Sequence, residues 1–193
     1  MKNNKANGYI NTDLIASALQ FYKKDFKLIS VPMCVGFESI LHTLPKGRIP
    51  LLRDNTDSPQ EDTYYVGSAE QGFIEMHSQG KLWNGYYAAL TPCQRNEQED
   101  ESHYTIFLKL ELIIVGQHAL PEMLTYVKTF LEQEDFDWVV VPSDCKDNEV
   151  DIEVNGVEVG SYGINVMPDG TPYTYGTGIA EPRLSYARGK WGK

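Results

Sequence analysis

Arg95, Glu97, His103, Phe107, Lys109 and Glu111 lie on two adjoining apolar stretches separated by an acidic loop, TPCQRNEQEDESHYTIFLKLELIIV (Thr91–Val115). Side chains two apart in a strand point to the same face. In the second stretch Tyr104, Ile106, Leu108, Leu110, Leu112 and Ile114 make an almost wholly apolar face, and His103, Thr105, Phe107, Lys109 and Glu111 make the opposite one. Arg95 and Glu97 share a face of the first stretch in the same way. Carboxylates and guanidinium groups on a partly enclosed sheet surface need partners, because desolvating an unpaired charge is costly. The polar face therefore reads as the floor of a nucleotide site. The blander alternatives are a strand ion pair for Arg95 and Glu97, a core position for Phe107 and a loop position for His103.

A second group sits on DNEVDIEVNGVEVGSYGI. Asn155-Gly156 between alternating stretches predicts a two-residue hairpin turn that needs positive φ. The implied register sets Val154 against Val157, Glu153 against Glu158, Ile152 against Val159 and Asp151 against Gly160. Val150, Ile152, Val154, Val157 and Val159 then share an apolar face, while Asp151, Glu153 and Glu158 crowd the other. Opposed like charges destabilise a hairpin. A hard divalent cation with oxygen ligands is one natural compensator, and a solvated edge is the other reading.

These residues must be held by a fold. The chain has 193 residues, 41% of them hydrophobic, and a formal net charge of −10. That suits a single domain with a sizeable core. The acidic excess disfavours extensive phosphate-backbone binding, the basic tail from Arg183 through Arg188, Lys190 and Lys193 apart. No apolar run approaches the roughly 20 residues of a membrane span. The N-terminus lacks the apolar run of a signal peptide. Cys34, Cys93 and Cys145 are odd in number and far apart, which reads as reduced thiols in a cytoplasmic protein.

In chain order, residues 1–10 read as a mobile N-terminus. A helix capped at Thr12 or Asp13 runs to about Lys24, with Leu14, Ile15, Ala18, Leu19 and Tyr22 on one stripe. Lys27–Val35 reads as a strand bent at Pro32. A short helix is expected around Phe37–Leu44, a polar loop over Arg53–Asp62 and a strand over Thr63–Val66. A helix over about Gln71–Gln79 ends at Gly80. The central strands, Tyr86–Glu97 and His103–Val115, precede a helix opened by Pro121, and Asp137–Pro142 reads as a strand. The hairpin and a glycine-rich run ending near Arg183 complete an α+β fold, an antiparallel six- to seven-stranded sheet flanked by helices.

Taken together, the motifs resemble the catalytic core of class II aminoacyl-tRNA synthetases over nearly the whole chain. FYKKDFKLISVP, ending at Pro32, is similar to motif 1, which implies a homodimer through the Leu14–Pro32 region. Arg95-Asn-Glu97, a short loop, His103, Phe107 and Glu111 match motif 2. The resemblance implies Arg95 on the α-phosphate, Glu97 on the adenine amino group, His103 near the outer phosphates and Phe107 under the adenine ring. A guanidinium suits that role because it pairs with phosphate in bidentate fashion. Gly176-Thr-Gly178-Ile-Ala180-Glu-Pro182-Arg183 is similar to motif 3, with Ala180 in place of the third glycine, which implies Gly176 and Gly178 beside the bound ATP.

Asp151–Ile164 resembles the hairpin of the aspartyl/asparaginyl subgroup, where an Asp and a Glu at the spacing of Asp151 and Glu158 hold the ATP magnesium, and the segment EVGSYGINV within and just after it also resembles its counterpart in ammonia-dependent asparagine synthetase. Gly67-Ser68-Ala69-Glu70 looks like the loop that receives a substrate α-amino group. A stand-alone catalytic domain spanning 1–193 is implied, without an anticodon-binding domain and so without a whole tRNA as substrate. The implied reaction is ATP- and magnesium-dependent activation of an amino acid or small carboxylic acid as its acyl-adenylate. Arg95 and Arg183 would be catalytic, and Ser68, Glu70, Lys109, Glu111 and Ser161 would line the acid. The alternative is a non-catalytic paralogue that binds an amino acid or nucleotide as a sensor or accessory subunit.

Overall fold

Strand alternation and helical stripes build two apolar layers on one central sheet. A computed structural model describes residues 9–44, 48–52, 62–96, 98–143 and 148–189. Glu97, Cys145 and the 53–61 part of the polar loop fall outside these residues.

Helix α1 (Thr12–Tyr22) is capped by Asn11, one residue before the expected cap, whose side chain accepts from the Leu14 N–H at 3.1 Å. The segment expected as one strand, Lys27–Val35, divides. β1 (Lys27–Leu28) joins the main sheet, and β2 (Cys34–Val35) leaves it to pair with β3 (Tyr64–Tyr65). Pro32, with no N–H to donate, falls between them. After α2 (Phe37–Leu41), helix α3 (Ala69–Ser78) begins at Ser68 and stops before Gly80, which takes a φ of +66°.

The central pair is β4 (Gly85–Gln94) and β5 (Ile106–Val115), shorter than expected at both ends of the acidic loop. Then come α4 (Leu120–Gln133), β6 (Trp138–Pro142), β7 (Glu149–Val154), β8 (Val157–Val166), β9 (Pro172–Glu181) and α5 (Arg183–Gly189). Seven strands lie in the order β1-β4-β5-β9-β8-β7-β6, all neighbours antiparallel except β1 with β4.

One face of the sheet carries the main core. Leu110, Leu112 and Ile114 of β5, Ile152 and Val154 of β7, and Val157 and Val159 of β8 pack there with Leu14, Ala18 and Tyr22 of α1 and with Val127, Phe130 and Leu131 of α4. The α1 stripe is thus buried inside its own chain, and the exposed apolar side chains of the segment expected to pair two copies are Leu28 and, beyond Pro32, Met33. On the other face, α3 covers only the far part of β4, β5 and β9, where Phe73 and Ile74 meet Ala89, Ile113, Val115, Tyr173 and Tyr175. The remaining half of that face is left for polar groups.

Two departures from expected register matter. Asn155 (φ +55°) and Gly156 (φ +70°) make the turn, and Val154 faces Val157 and Glu153 faces Glu158 as expected. A bulge between Ile152 and Glu153 then shifts the ladder, so Ile152 faces Gly160 and Asp151 faces Ser161 rather than Gly160. A second bulge lies at Leu110/Glu111, where Leu110 faces Ile179 and Glu111 faces Thr177. The glycine run is an inner strand. A Cβ at Gly176 would stand 2.5 Å from the Tyr162 ring and 3.1 Å from Met123 Cγ.

Gly176→Ala therefore overpacks a core whose ring cannot swing aside, and about 1–3 kcal/mol of stability should be lost. Urea unfolding measures it. A loss below about 0.5 kcal/mol, the range of ordinary surface changes, would show that the ring yields.

Candidate functional site

The uncovered half of the sheet holds a cavity. It is lined by Arg95, Tyr104, Phe107, Lys109, Glu158, Val159, Gly160, Ser161, Thr177, Ala180, Glu181 and Arg183. Six residues singled out by spacing and resemblance, from three separated stretches, thus meet around one space: Arg95, Phe107, Lys109, Ser161, Glu158 and Arg183. Thr91 and Cys93 of β4 lie opposite Lys109 and Phe107 of β5, and Ala180 of β9 lies opposite Lys109 on the other side.

Arg95 follows the last residue of β4. Its Nε donates to the Gly67 carbonyl at 2.8 Å, and its guanidinium lies over the Phe107 ring, 5.0 Å from the centroid. Cation–π attraction and the carbonyl fix the group at the cavity wall. Arg183, at the start of α5, sends Nε to the Ser102 carbonyl (2.9 Å) and Nη1 to Glu158 (3.3 Å). It therefore supplies a positive charge to the opposed Glu153/Glu158 pair, the role expected of a cation.

Lys109 and Glu111 form a buried ion pair, Nζ to Oε2 at 2.7 Å, with side chains 10% and 1% exposed. Ser68 Oγ donates to the same Oε2 at 2.5 Å, while Glu111 Oε1 is buried with no hydrogen-bond partner. A buried acceptor left unmatched costs about 1–3 kcal/mol. Lys109 is thus paired within the chain by Glu111.

Glu70, Ser68 and Glu111 do not line the cavity; they form a polar layer beneath the start of α3. Glu70 is buried and accepts from Tyr173 OH at 2.7 Å. Tyr175 OH donates to Glu149. Burial and then the charge of Glu70 push the phenol of Tyr175 far up, so it stays a donor.

His103 stands apart from the inner cavity. The Asp100 carboxylate accepts from the N–H groups of Ser102 and His103, and the His103 ring lies 2.7 Å from it. The Ser102 N–H, ahead of the His103 contacts, holds the Asp100 carboxyl well below the usual range. His103 lines an outer recess with Asp100, Glu101, Ser102, Gly156, Glu158, Arg183 and Tyr186. Because β5 begins only at Ile106, alternation does not extend back to Tyr104, which turns into the cavity instead of the apolar face. Gly176 and Gly178 also miss the lining. Tyr162 and Met123 crowd the first, and Tyr22 and Leu110 crowd the second, so packing accounts for both glycines. Glu97 lies outside the described residues.

Asp151 is buried beside Ser161 and Ser143. Burial raises its carboxyl above the ordinary value, against the lowering by hydrogen bonds from those serines, and Glu158 and Glu149 add repulsion. Its Oδ1 is buried without a partner. Such an oxygen fits a hard cation. Glu158, 47% exposed, is held by Arg183 and by Ser161 Oγ at 3.5 Å. No cluster of three or more His, Cys, Asp or Glu side chains that could hold a metal occurs among the described residues, so substrate oxygens would have to complete a coordination shell.

Spacing did not reveal Tyr173 and Tyr175, which reach Glu70 and Glu149, nor Ser102 and Glu101, which meet Arg183 and Tyr186. Alternation of Tyr173, Tyr175 and Thr177 on one face of β9 was the available signal for the first two.

Solved structures share this fold. Seryl-tRNA synthetase from Pyrococcus horikoshii, complexed with ATP, matches with a TM-score of 0.69 and 18% identity over 91% of this chain and 49% of that one. A pyrrolysyl-tRNA synthetase from Desulfitobacterium hafniense matches with a TM-score of 0.65 and 15% identity over 92% of this chain and 69% of that one. The fold is that of a class II aminoacyl-tRNA synthetase-like core. The chain spans about half the length of the seryl enzyme. No protein-family model and no curated protein matches the sequence. No helix among the described residues is long and apolar enough to cross a membrane.

The raised carboxyl of Asp151 gives a pH signature. The folded state holds this proton more tightly than the unfolded chain does. That contribution is full below about pH 3.9 and is lost as pH rises through the folded pKa. Asp151→Asn should therefore melt above the parent at neutral pH, with the gap closing toward pH 4. Added magnesium should raise the melting temperature of the parent and leave the variant unmoved. A gap independent of both pH and magnesium would show that Asp151 is not an ionised, cation-ready group.

Proposed function

We propose that this chain activates an amino acid or small carboxylic acid as its acyl-adenylate, consuming ATP and releasing pyrophosphate. The observation that supports it is the convergence of Arg95, Phe107, Lys109, Ser161, Glu158 and Arg183 on one cavity in a synthetase-like fold. In this reading Phe107 supports the adenine, Glu97 meets its amino group, and His103 in the outer recess lies toward the β- and γ-phosphates. Arg95 and Arg183 offset the charge that grows as the acid carboxylate attacks the α-phosphorus and the bond to pyrophosphate breaks. The attacking carboxylate is ionised at neutral pH, so no general base is required. Positioning supplies much of the rate.

Asp151, with Glu158 beside it, would hold magnesium, which neutralises phosphate charge when bound. Lys109 and Ser161 of the cavity, with Ser68, Glu70 and Glu111 in the polar layer below its floor, would receive the acid. The activated acyl group passes to ammonia, an amine, a carrier or the end of a tRNA. The reading places a homodimer in the cytoplasm, with two copies meeting through the Leu14–Pro32 region. Sedimentation at micromolar concentration should give a dimer mass, and a monomer mass would remove that part.

ATP–pyrophosphate exchange across a panel of amino acids tests the reaction. Exchange should appear with one or a few acids. Arg95→Ala should lower its rate about 10²–10³-fold. Phe107→Ala should raise the KM for ATP about 5- to 150-fold, matching the roughly 1–3 kcal/mol of one base–aromatic stack. ATP or amino-acid binding without exchange would select the sensor or accessory-subunit reading. Absence of both binding and exchange would overturn activation.

A further inference from the structure

Glu111 sits at the junction of two contacts that no packing requirement explains. Its Oε2 takes both Lys109 Nζ (2.7 Å) and Ser68 Oγ (2.5 Å), and its Oε1 is buried without a partner. A buried ion pair is weak evidence of stability, since apolar side chains of similar volume often serve as well or better. The next positions along the strand, Leu110 and Leu112, show such side chains in fully buried sites. Lys109 lines the cavity with Arg95 and Phe107, whereas Glu111 lies one strand repeat deeper. Ser68 is also the cap of α3, its Oγ accepting from the Glu70 N–H at 3.3 Å. Three groups thus connect the start of α3 to the cavity floor through one carboxylate.

We infer that Ser68, Glu111 and Lys109 couple the binding of the acid to the binding of ATP. This rests on the activation reading. An ammonium group on the acid reaches below the cavity floor to the buried, unpartnered Oε1 of Glu111 and offsets its charge. The hold of Glu111 on Lys109 weakens, and Nζ turns to the negative charge gathered between the acid carboxylate and the α-phosphate. Without the ammonium, Glu111 keeps Lys109 and the nucleotide loses that cation. Ser68 holds Glu111 in place while its partner changes, so it is a positioning residue. Coupling of this kind is reciprocal: each substrate tightens the other by the same factor.

The test is calorimetric titration of ATP with magnesium, in the absence and presence of an equimolar mixture of the twenty standard amino acids. The parent chain should bind ATP about tenfold more tightly in the mixture, within the 5- to 150-fold range usual for coupled sites. In Lys109→Met, which keeps an apolar stem, the factor should fall to about one. Lys109→Arg should recover part of it. Ser68→Ala, which leaves the cavity lining intact, should lower the factor several-fold and serves if the Met variant fails to fold. A factor of one in the parent, or a parent-like factor in both Lys109→Met and Ser68→Ala, overturns the coupling. If exchange proceeds in either case, activation stands and the coupling alone falls. If the parent neither binds ATP nor catalyses exchange, activation falls and carries the coupling with it.

Discussion

A carboxylate buried to 1% exposure beneath a cavity floor sets the terms for the rest of the sheet. Glu111 can stay there only while Lys109 and Ser68 donate to it, because an ionised carboxylate in a low-dielectric interior demands partners. Lys109 is supplied by the same face of the same strand. Ser68 comes from outside the sheet, and its position is fixed by α3, whose Phe73 and Ile74 pack on Ala89, Ile113 and Val115. The apolar far half of the face therefore secures the helix whose cap satisfies the polar near half. Packing and chemistry divide one strand face between them, with Ile113 and Val115 on one side of Glu111 and Lys109 and Phe107 on the other.

The two bulges have a common consequence. One extra residue on a strand bends it and sharpens the local twist. The bulge at Leu110/Glu111 against β9 lies beside Gly178, and the bulge at Ile152/Glu153 against β8 lies beside Gly160. Both sit where the covered part of the sheet gives way to the cavity. Close approach explains the glycine at Gly160, since a Cβ there would lie 2.6 Å from Thr177 Cβ. At the second bulge Asp151 is brought opposite Ser161, and Glu158, on the far side of the irregularity, is left partly exposed at the cavity edge.

Much of this was legible from spacing because period-two alternation is a local signal. The two faces of β5 from Leu108 to Ile114, the Asn155-Gly156 turn and the inward stripe of α1 follow from neighbours a few residues apart. What escaped depends on distant pairing. A bulge inserts no distinctive residue type, so nothing local in DIEVNGVEVG marks the shift that moves Asp151 from Gly160 to Ser161. Alternation puts Tyr104 on the apolar face, but the strand begins only at Ile106, after the Asp100 turn. The glycines of the motif 3-like run imply a place beside ATP when read by resemblance alone. Set against Tyr162, Met123 and Tyr22, which come from three other elements, they are spaces left for side chains.

Arg183 shows how charge placement links these elements. The hairpin brings Glu153 opposite Glu158, an unfavourable pairing for a two-residue turn to impose. Arg183 reaches Glu158 from the start of α5 and at the same time binds the Ser102 carbonyl of the acidic loop. Tyr186, one helical turn along, donates to Glu101 of that loop. The loop, the hairpin and α5 are thus joined at one guanidinium on the cavity wall. An anionic ligand there would compete with Glu158 for Arg183, while a cation near Glu158 would take over the charge the arginine gives up. The same exchange of partners is set up at the other end of the cavity, where Glu111 holds Lys109. Two cations on the wall, Arg183 and Lys109, are thus parked on carboxylates, while Arg95 is held by the Gly67 carbonyl and the Phe107 ring, so an incoming anion would compete with a carboxylate at each of the first two.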